Sequence, residues 1–380
     1  MNDAAVVVEA VRTPTGKSGG RLAAIHPVDL SAHVLRSLIQ RAGIRPDLVD
    51  EVVWGCFSQR GAQGFNIGRN AVLAAGWPDS VPAFTIDRQC GSSQQSIQAA
   101  AAGLVAGQYG LAVAGGVESM SRVPMFPPEP DDPYGDQYAA RYAGVLPDQG
   151  EAAERLTAER RFPRSALDAY ALRSHTRAVA AQDDRLFADE IVTVPTPAGT
   201  VDTDQGVRRG STVEKLAALP PIVRPDGVIT AGHAASVADG AAALLLATPA
   251  RARALGLAPI ARIRATAVAA ADPIRMFTAP VPATAAVLRR AGIGLTDVGA
   301  VEVNEAFAPV VLSWLKDTGT DDALVNPLGG AIALGHPLGA SGARLAVTLL
   351  HHMRRCGIRY GLQVMCQGGG QANATVYELL

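Results

Sequence analysis

Three loop segments carry side chains that could perform nucleophilic chemistry, and the first contains Cys90. A short apolar run, Val81 to Ile86, precedes this cysteine, and small and helix-forming residues follow it from Ile97 to Leu104. The pattern predicts a strand, a sharp turn and a helix whose first turn begins near Cys90. Unpaired N–H groups and the positive end of the helix dipole favour the thiolate there, which is the nucleophilic form. The alternative is a buried, unreactive cysteine that caps a core helix.

The second segment, Asn326 to Gly342, places several glycines around His336. Glycine lets backbone approach backbone or a ligand closely, so His336 could face a reacting centre. A single histidine is otherwise more often structural. Nearby in the chain, Asn304 ends a predicted strand, where an amide can orient a water or an oxyanion. The alternative for Asn304 is a turn former or helix cap.

The third segment places Cys366 at the end of a predicted strand, followed by the triple glycine Gly368 to Gly370. Its backbone N–H groups could form an oxyanion cradle, or the stretch could be a flexible turn after a core cysteine. The three segments have a chemical logic together. A histidine could take the proton of the first thiol, a thioester could form on Cys90, and the second thiol could move a proton on and off carbon.

Composition restricts the class of protein. The chain has 380 residues, a net charge of −1 and 48% hydrophobic residues, which is ample for one large α/β unit or two to three domains. The charge balance indicates neither a nucleic-acid nor an anionic-membrane partner. Four cysteines without a CxxC pair argue against a zinc site and a disulfide scaffold. No apolar run approaches the ~20 residues of a spanning helix, and no leader precedes the first strand, so we expect a cytoplasmic location.

The elements that must position these segments alternate between strand and helix. That alternation predicts a mostly parallel sheet covered on both faces. The stretch from Asp239 to Leu246 has a helix-like, small-residue composition. The predicted elements before it are strands at 6–10, 49–54 and 110–115 and helices at 27–42 and 65–75.

A repeat is hidden in this order. Three segments recur at offsets of 249, 248 and 251 residues, which favours a duplicated α/β unit over chance or shared turn chemistry. The matched pairs are Arg41–Ile44 with Arg290–Ile293, Cys90–Ser93 with Leu338–Ser341, and Tyr109–Val113 with Tyr360–Val364. Duplicated halves commonly pack together and place their sites at the junction, beside strand ends.

The residues between the two copies differ in character. Pro124 to Pro133 is rich in proline and acid and predicts a loop, and Ala152 to Ala181 is charged and helix-rich. We expect residues 1–118 plus 238–257 to form the first half, 258–380 the second, and 119–237 an inserted domain. The insertion is either a lid that binds a large cofactor-like substrate or a surface decoration.

The segments together resemble the thiolase family, in the family's order and over essentially the whole chain. Weaker likeness covers Thr230-Ala231-Gly232, Asp239-Gly240-Ala241 and Asp272-Pro273. The motifs that carry the resemblance are Cys90-Gly91-Ser92, Gly115 to Met120, Asn304 to Ala308, Gly329 to Gly342, and Cys366 with Gly368 to Gly370.

The resemblance implies a thiolase fold, an α/β architecture of two similar halves in five αβαβα layers with a loop domain inserted in the first. It implies that Cys90 is the acylated nucleophile, His336 its base and Cys366 the acid/base at the α-carbon. A water held by Asn304 would form one oxyanion hole with His336. The backbone N–H groups of Cys90 and Gly368 would form the other.

The implied reaction is reversible acyl transfer between a Cys90 thioester and CoA, which in the cleavage direction shortens a 3-ketoacyl-CoA. It needs no metal or redox cofactor, its partners are CoA and acyl-CoA, and the family implies a homodimer or homotetramer. The wording around Cys90 resembles bacterial degradative members, including ones for bulky or steroid-derived chains. The alternatives are a biosynthetic acetoacetyl-CoA thiolase and a non-catalytic acyl-CoA or lipid binding protein.

The resemblance also implies contacts to CoA and the acyl group, although Arg208 and Lys215 could equally be solvated surface charges. These candidate binding residues are Arg208, Lys215, Ala231, Ala235, Ser236, Gln149, Met276 and Phe307. Several positions depart from the family pattern and leave the acyl specificity open. They are His233 for Asn, Ala235 for Ser, Asp148-Gln149 for His-Met, and Phe277 and Ala279 for glycines.

Related enzyme classes are distinguished by one residue. Ketoacyl synthases and hydroxymethylglutaryl-CoA synthases share the fold but lack a thiol in the Cys366 setting. A cysteine hydrolase built on Cys90 and His336 would leave Cys366 and the glycine cradle without a role.

Overall fold

The computed structural model describes residues 4–125, 133–145 and 147–380, so most of the loop predicted at Pro124 to Pro133 lies outside the described residues. Within these ranges the strands are β1 (Ala5–Arg12), β2 (Gly16–Lys17), β3 (Glu51–Gly55), β4 (Ala83–Ile86), β5 (Leu111–Ser119), β6 (Val194–Thr196), β7 (Gly199–Val201), β8 (Ala238–Ala247), β9 (Ala261–Ala270), β10 (Ala300–Val303), β11 (Tyr360–Gln367) and β12 (Gln371–Leu379). The helices are α1 (Pro27–Ala42), α2 (Ile67–Ala74), α3 (Ser92–Val105), α4 (Gly135–Arg141), α5 (Gln149–Arg160), α6 (Arg164–Asp183), α7 (Val213–Ala217), α8 (Pro249–Ala254), α9 (Pro280–Ala291), α10 (Ala308–Thr318), α11 (Ala331–Leu334) and α12 (Leu338–Cys356).

The frame is one continuous hydrogen-bonded sheet that divides into two half-sheets of corresponding strand order, called the first and the second sheet below. In the first half the strand order is β4-β3-β5-β8-β1, and in the second it is β10-β11-β12-β9. A parallel bridge from Val301 to Val325 takes the place of the outermost strand in the second half. The two sheets join where β1 pairs antiparallel with β9. Strand for strand, the halves therefore match.

The helix ends repeat as well. α1 ends at Gly43 and α9 at Gly292, both left-handed with φ 67°, and each is followed by a short 3₁₀ turn. Glycine takes this backbone conformation without a Cβ clash, which is why it ends both helices. The resemblance of Arg41–Ile44 to Arg290–Ile293 therefore reflects one helix–turn–strand unit used twice.

Helices α3 and α12 lie in the centre, between the two sheets. Their first turns are at corresponding positions in the two halves. The Ala343 N–H donates to Ser93 Oγ at 2.8 Å, and a Cβ on Gly342 would lie 2.3 Å from the Gln94 nitrogen. This close approach lets Ile97 and Val347 share one buried apolar cluster. With α1 and α2 outside the first sheet and α9 and α10 outside the second, the layers number five, as the family resemblance predicts.

Two predictions about the elements are wrong. The sheet is mixed: among the strands of the described ranges only β3–β4, β3–β5 and β10–β11 pair in parallel, and β8 and β12 run antiparallel to their neighbours. The stretch from Asp239 to Leu246 is not helical but lies within strand β8, every residue of which is buried. A central strand covered on both faces shows no alternation, so a run of small apolar residues does not distinguish it from a buried helix.

The chain between β5 and β8 holds helices α4 to α7 and the hairpin β6–β7. Helix α6 packs on α7 and α11, and α5 packs on α10, so these helices lie against the second half. The hairpin β6–β7 packs instead in the core of the first half, where Val194 and Val201 are buried. Across the described ranges, the helices all fall short of the length and apolarity that a membrane crossing requires.

Candidate active site

Cys90 lies in a tight turn between β4 and α3. Gln89 is left-handed at φ 51°, and its N–H donates to Asp87 Oδ1 at 2.6 Å. The helix begins at Ser92 with Gly91 as its N-cap, two residues after Cys90 and therefore near it, as the sequence predicts. A Cβ on Gly91 would lie 2.0 Å from Gln367 Nε2, so only glycine lets this turn press against the second half.

The thiol of Cys90 is buried, with 3% of the residue exposed. Burial raises the pKa of Cys90 well above its usual range, and the nearby Cys366 raises it further. The backbone N–H groups of Gly368 and of Cys90 itself hydrogen-bond the thiol and lower this pKa, but they do not offset burial. Burial therefore outweighs the helix N-terminus, which favours the thiolate, and the raised pKa favours the neutral thiol until a base acts.

His336, the base that the sequence predicts, lies in the loop between α11 and α12. Gly335, at φ 100°, precedes it in a conformation that L side chains rarely adopt, and the His336 N–H donates to the Ser236 carbonyl at 2.9 Å. Burial, and the Arg344 charge after it, lower the pKa of His336 to about 3. The imidazole is thus neutral and able to accept a proton at physiological pH.

Cys366 and Asn304 end the parallel neighbours β11 and β10, and the Asn304 N–H donates to the Val364 carbonyl at 3.0 Å. Burial raises the pKa of Cys366 to about 12, although hydrogen bonds from the Asn304 side chain and the backbone of Ala306 lower it. Among the described residues, Asn304 Oδ1 has no hydrogen-bond partner although it is buried, so this oxygen can accept a hydrogen bond from a water or substrate.

Asn304 also connects the second thiol to the base. Its Nδ2 lies 3.5 Å from His336 Nε2, and the same side chain hydrogen-bonds Cys366. The four predicted catalytic residues are therefore brought together: Cys90 and Cys366 interact electrostatically, and Asn304 links Cys366 to His336. Gly368 completes the group through its hydrogen bond to Cys90.

Glu118 is a buried carboxylate that holds the frame of this site. At the end of β5 it accepts hydrogen bonds at Oε2 from the Phe57 and Gly339 N–H groups, at 2.9 and 2.8 Å. At Oε1 it accepts from the Ser58 N–H at 3.1 Å and from Gln63 Nε2 at 2.6 Å. Glu118 thus fastens the start of α12, three residues after His336, to the first half.

Glu305 has the corresponding position beside Asn304 in the second half. It accepts from Tyr170 Oη at 2.8 Å, Ser174 Oγ at 2.8 Å and the Ile332 N–H at 2.9 Å. Asn326 Nδ2 donates to it at 3.2 Å. The carboxylate therefore ties helix α6 of the inserted segment to the loop that leads to His336.

A cavity of about 330 Å³ opens beside the inserted segment, lined among others by Arg208, Arg209 and Lys215. Four of the eight predicted binding residues lie on it, namely Arg208, Lys215, Ala231 and Ser236. The cavity leads toward the catalytic loops, because Ser236 accepts from the His336 N–H. Three cationic side chains on one cavity wall suit a ligand that carries phosphates.

The other four predicted binding residues lie elsewhere. The Ala235 N–H donates to the Ala306 carbonyl at 3.0 Å, and Gln149 is the first residue of α5, whose N-cap is Asp148. Met276 is buried in the core of the second half, left-handed at φ 53°. The Phe307 ring contacts the Phe277 ring in a tilted arrangement, with 5.7 Å between centroids and 58° between planes.

His233, where the family pattern has asparagine, is part of the wall behind that cavity. Its Nε2 lies 2.7 Å from Asp168 Oδ1, and its Nδ1 accepts from the Thr230 N–H at 3.2 Å. Arg164 Nε donates to both oxygens of Asp168 at 3.0 Å. His233 therefore connects the 230–236 loop to α6 through the buried carboxylate of Asp168, which is also paired with Arg164.

Sequence reasoning missed four residues of the site. Glu118 and Glu305 stood in quoted motifs without a role, and an acidic residue at the end of a buried strand or just beyond it was the available signal. His175, which lines the cavity and accepts from the Arg208 N–H at 3.3 Å, gave no signal. Ser341, which contacts His336, lies five residues after it on α12. In the described ranges, no group of three or more histidine, cysteine or acidic side chains could hold a metal ion.

Comparison with known proteins agrees with this geometry. The family described as "Thiolase, N-terminal domain" matches residues 5–250, and "Thiolase, C-terminal domain" matches residues 257–379. The steroid 3-ketoacyl-CoA thiolase FadA6 of Mycobacterium tuberculosis is 46% identical over 99% of this chain and 94% of its own length. The 3-ketoacyl-CoA thiolase FadA of Escherichia coli is 43% identical over 98% of both.

Solved structures agree as well. Human mitochondrial 3-ketoacyl-CoA thiolase superposes with a TM-score of 0.91 at 36% identity and full coverage of both chains. The acetyl-CoA acetyltransferase of Bacillus anthracis gives the same score at 38% identity, covering 100% of this chain and 99% of its own. The duplicated five-layer fold and the paired cysteines define a class of acyl-transfer enzymes. This chain belongs to the thiolase family.

Proposed function

We propose that this protein is a degradative thiolase that cleaves a 3-ketoacyl-CoA with CoA, giving acetyl-CoA and an acyl-CoA shortened by two carbons. The observation that carries the proposal is the setting of Cys90. It is a buried thiol that receives the Gly368 N–H and has Cys366 beside it, and Cys366 is connected through Asn304 to the neutral His336. A hydrolase or a binding protein has no use for the second buried thiol. The names of the FadA and FadA6 relatives support the degradative direction.

In the first half-reaction, His336 Nε2 takes the Cys90 proton and the thiolate attacks the 3-keto carbon. The developing oxyanion receives the N–H groups of Cys90 and Gly368, which already hydrogen-bond the thiol. The C2–C3 bond then breaks, and Cys366 gives its proton to C2 of the departing acetyl-CoA enolate. The oxygen of that enolate would be held by His336 together with a water on Asn304.

In the second half-reaction the roles of proton donor and acceptor reverse. The thiol of CoA gives its proton to the Cys366 thiolate, attacks the acyl carbonyl on Cys90 and leaves as the shortened acyl-CoA. The Cys90 thiolate recovers its proton from His336. All proton transfers are supplied by the side chains of the chain itself, so the proposed reaction requires no metal or redox cofactor.

CoA is proposed to lie in the cavity of the inserted segment, with residues 119–237 acting as its binding domain. Arg208 and Lys215 would face the phosphates, because two cations on an open wall stabilise such charges. Ala231 and Ser236 would line the pantetheine path toward His336. Ala235, which has no hydroxyl, would contact that path only through its methyl group.

A homo-oligomer, dimer or tetramer, is also proposed. Strand β4 is the outermost strand of its sheet, with Phe84 41% exposed, and Phe65 beside it is 98% exposed. An open strand edge flanked by two exposed aromatic rings favours pairing with a second copy. We further propose that the enzyme acts in the cytoplasm.

Assays with 3-ketoacyl-CoAs of rising length and bulk test the proposal. We expect thiolysis of medium, long or ring-bearing chains to exceed that of acetoacetyl-CoA in kcat/KM. A preference for acetoacetyl-CoA would favour the biosynthetic alternative instead. Cys90→Ala should abolish turnover of every substrate, and wild-type turnover in this variant would remove Cys90 as the nucleophile.

A further inference from the structure

Ser341 contacts the imidazole of His336, the proposed base, at the ring nitrogen that takes no part in the proposed proton transfers. It is the fourth residue of α12 and fully buried. Its Oγ lies 2.6 Å from His336 Nδ1 and 2.9 Å from the Pro337 carbonyl oxygen. The hydroxyl thus bridges the imidazole and the first turn of its own helix.

The donors and acceptors at this bridge can be assigned. A carbonyl oxygen only accepts, so the single Ser341 proton goes to Pro337 and the Oγ lone pairs face His336 Nδ1. Nδ1 must then carry the proton of the neutral imidazole. On the other side of the ring, Nε2 faces Asn304 Nδ2, which is itself a donor, so Nε2 presents its lone pair.

We propose that Ser341 is a positioning residue that holds His336 in the Nδ1–H tautomer, so that Nε2 is always the atom that receives the Cys90 proton. In the step itself, the Cys90 S–H bond breaks, its electron pair stays on sulfur, and an N–H bond forms at Nε2. The Nδ1–H bond to Ser341 persists in the resulting imidazolium.

Serine is suited to this position because it is neutral. A carboxylate at Nδ1 would stabilise the imidazolium and keep the proton on His336. The charged group whose field reaches His336 in the described structure is Arg344, which opposes protonation, and its own partner Glu302 lies 3.8 Å from it. Ser341 therefore fixes the orientation of the ring without making it a stronger base, so the proton can be returned.

The test compares Ser341→Ala with Ser341→Thr. Without the hydroxyl, the His336 ring can also adopt the Nε2–H tautomer, which cannot accept the Cys90 proton at Nε2. We therefore expect kcat to fall about tenfold to a hundredfold with little change in KM, the size of effect seen when a hydrogen-bond partner of a functional side chain is removed. Threonine keeps the hydroxyl and should restore kcat to within a few fold. Ser31→Ala is the matched control. Ser31 Oγ likewise donates to the carbonyl of a proline four residues earlier, Pro27, at 2.8 Å, and the histidine five residues before it, His26, accepts at Nδ1 from the Val28 N–H instead.

Two further readouts need no acyl-CoA and therefore separate this inference from the proposed function on which it rests. Alkylation of Cys90 by iodoacetamide, followed by mass spectrometry, should slow in Ser341→Ala and recover in Ser341→Thr. In ¹⁵N spectra of histidine-labelled protein, the His336 signal, identified by its loss in His336→Asn, should be of the Nδ1–H form. A wild-type Nε2–H tautomer, or equal kcat and alkylation in Ser341→Ala and Ser31→Ala, would overturn the proposal.

Discussion

Replacement of Glu118 by glutamine removes one of the two acceptor oxygens that hold the catalytic frame. All four of its donors are N–H groups: three backbone amides and Gln63 Nε2. Gln63 cannot turn round, because its Oε1 accepts from the Ser119 N–H at 2.7 Å. In either orientation, the new NH₂ group therefore faces two donors and two hydrogen bonds are lost.

Glu305→Gln is the matched comparison. This carboxylate also has four donors, but one on each oxygen is a hydroxyl, from Tyr170 or Ser174, which can rotate and accept instead. Only one N–H group loses its acceptor. At about 1.5–3 kcal/mol for each hydrogen bond to a charged group, Glu118→Gln should lower the free energy of unfolding by about 3–6 kcal/mol and Glu305→Gln by about half as much.

Urea unfolding followed by tryptophan fluorescence measures both variants, since Trp54 and Trp314 are buried in different halves. We also expect a lower kcat for Glu118→Gln. The Gly339 N–H, three residues after His336, is one of the two donors to Oε2, so losing this bond would loosen the loop that holds His336. An equal or larger loss of stability in Glu305→Gln would show that the number of N–H donors left without an acceptor does not determine how strongly these carboxylates stabilise the protein.

Three other predictions follow from the site. Cys366→Ser should still allow acetyl-CoA to acylate Cys90 but block C–C bond cleavage; loss of acylation with intact carbon chemistry would contradict its role. Arg208→Ala and Lys215→Ala should each raise the KM for CoA roughly tenfold, about 1.4 kcal/mol, and less at high salt; an unchanged KM would place CoA elsewhere. Folding lowers the pKa of His336 from 6.5 to about 3. Between these two pH values the unfolded chain binds a proton at His336 and the folded protein does not, so the free energy of unfolding should decrease as the pH falls from 6.5 to about 3. Denaturant midpoints against pH should show a smaller loss in His336→Gln, and an equal loss would refute the assignment.

The sequence predicted the duplicated fold well because the repeat is carried by backbone requirements. Gly43 and Gly292 end equivalent helices in the same left-handed conformation, and such positions keep their residue type. The strand at Asp239 to Leu246 was missed for a physical reason. It is buried on both faces between β1 and β5, so burial and not alternation determined its composition.

Residue identity predicted the members of the site but not their ionisation. The helix dipole near Cys90 was a correct local argument, yet burial outweighs it and raises the thiol pKa. Such a balance depends on what the other half of the chain places over the thiol. The same limit applies to Ser341, whose role depends on a 2.6 Å contact that spacing alone does not reveal.

The acyl-enzyme is the most direct test of the account. The purified protein would be incubated with a 3-ketoacyl-CoA in the absence of free CoA, digested and analysed by mass spectrometry. We predict one shortened acyl group on the peptide that contains Cys90, one equivalent of acetyl-CoA released, and loss of the label on adding CoA. An acyl group on Cys366 or Cys56 instead, or turnover with no acylated cysteine, would contradict the central claim.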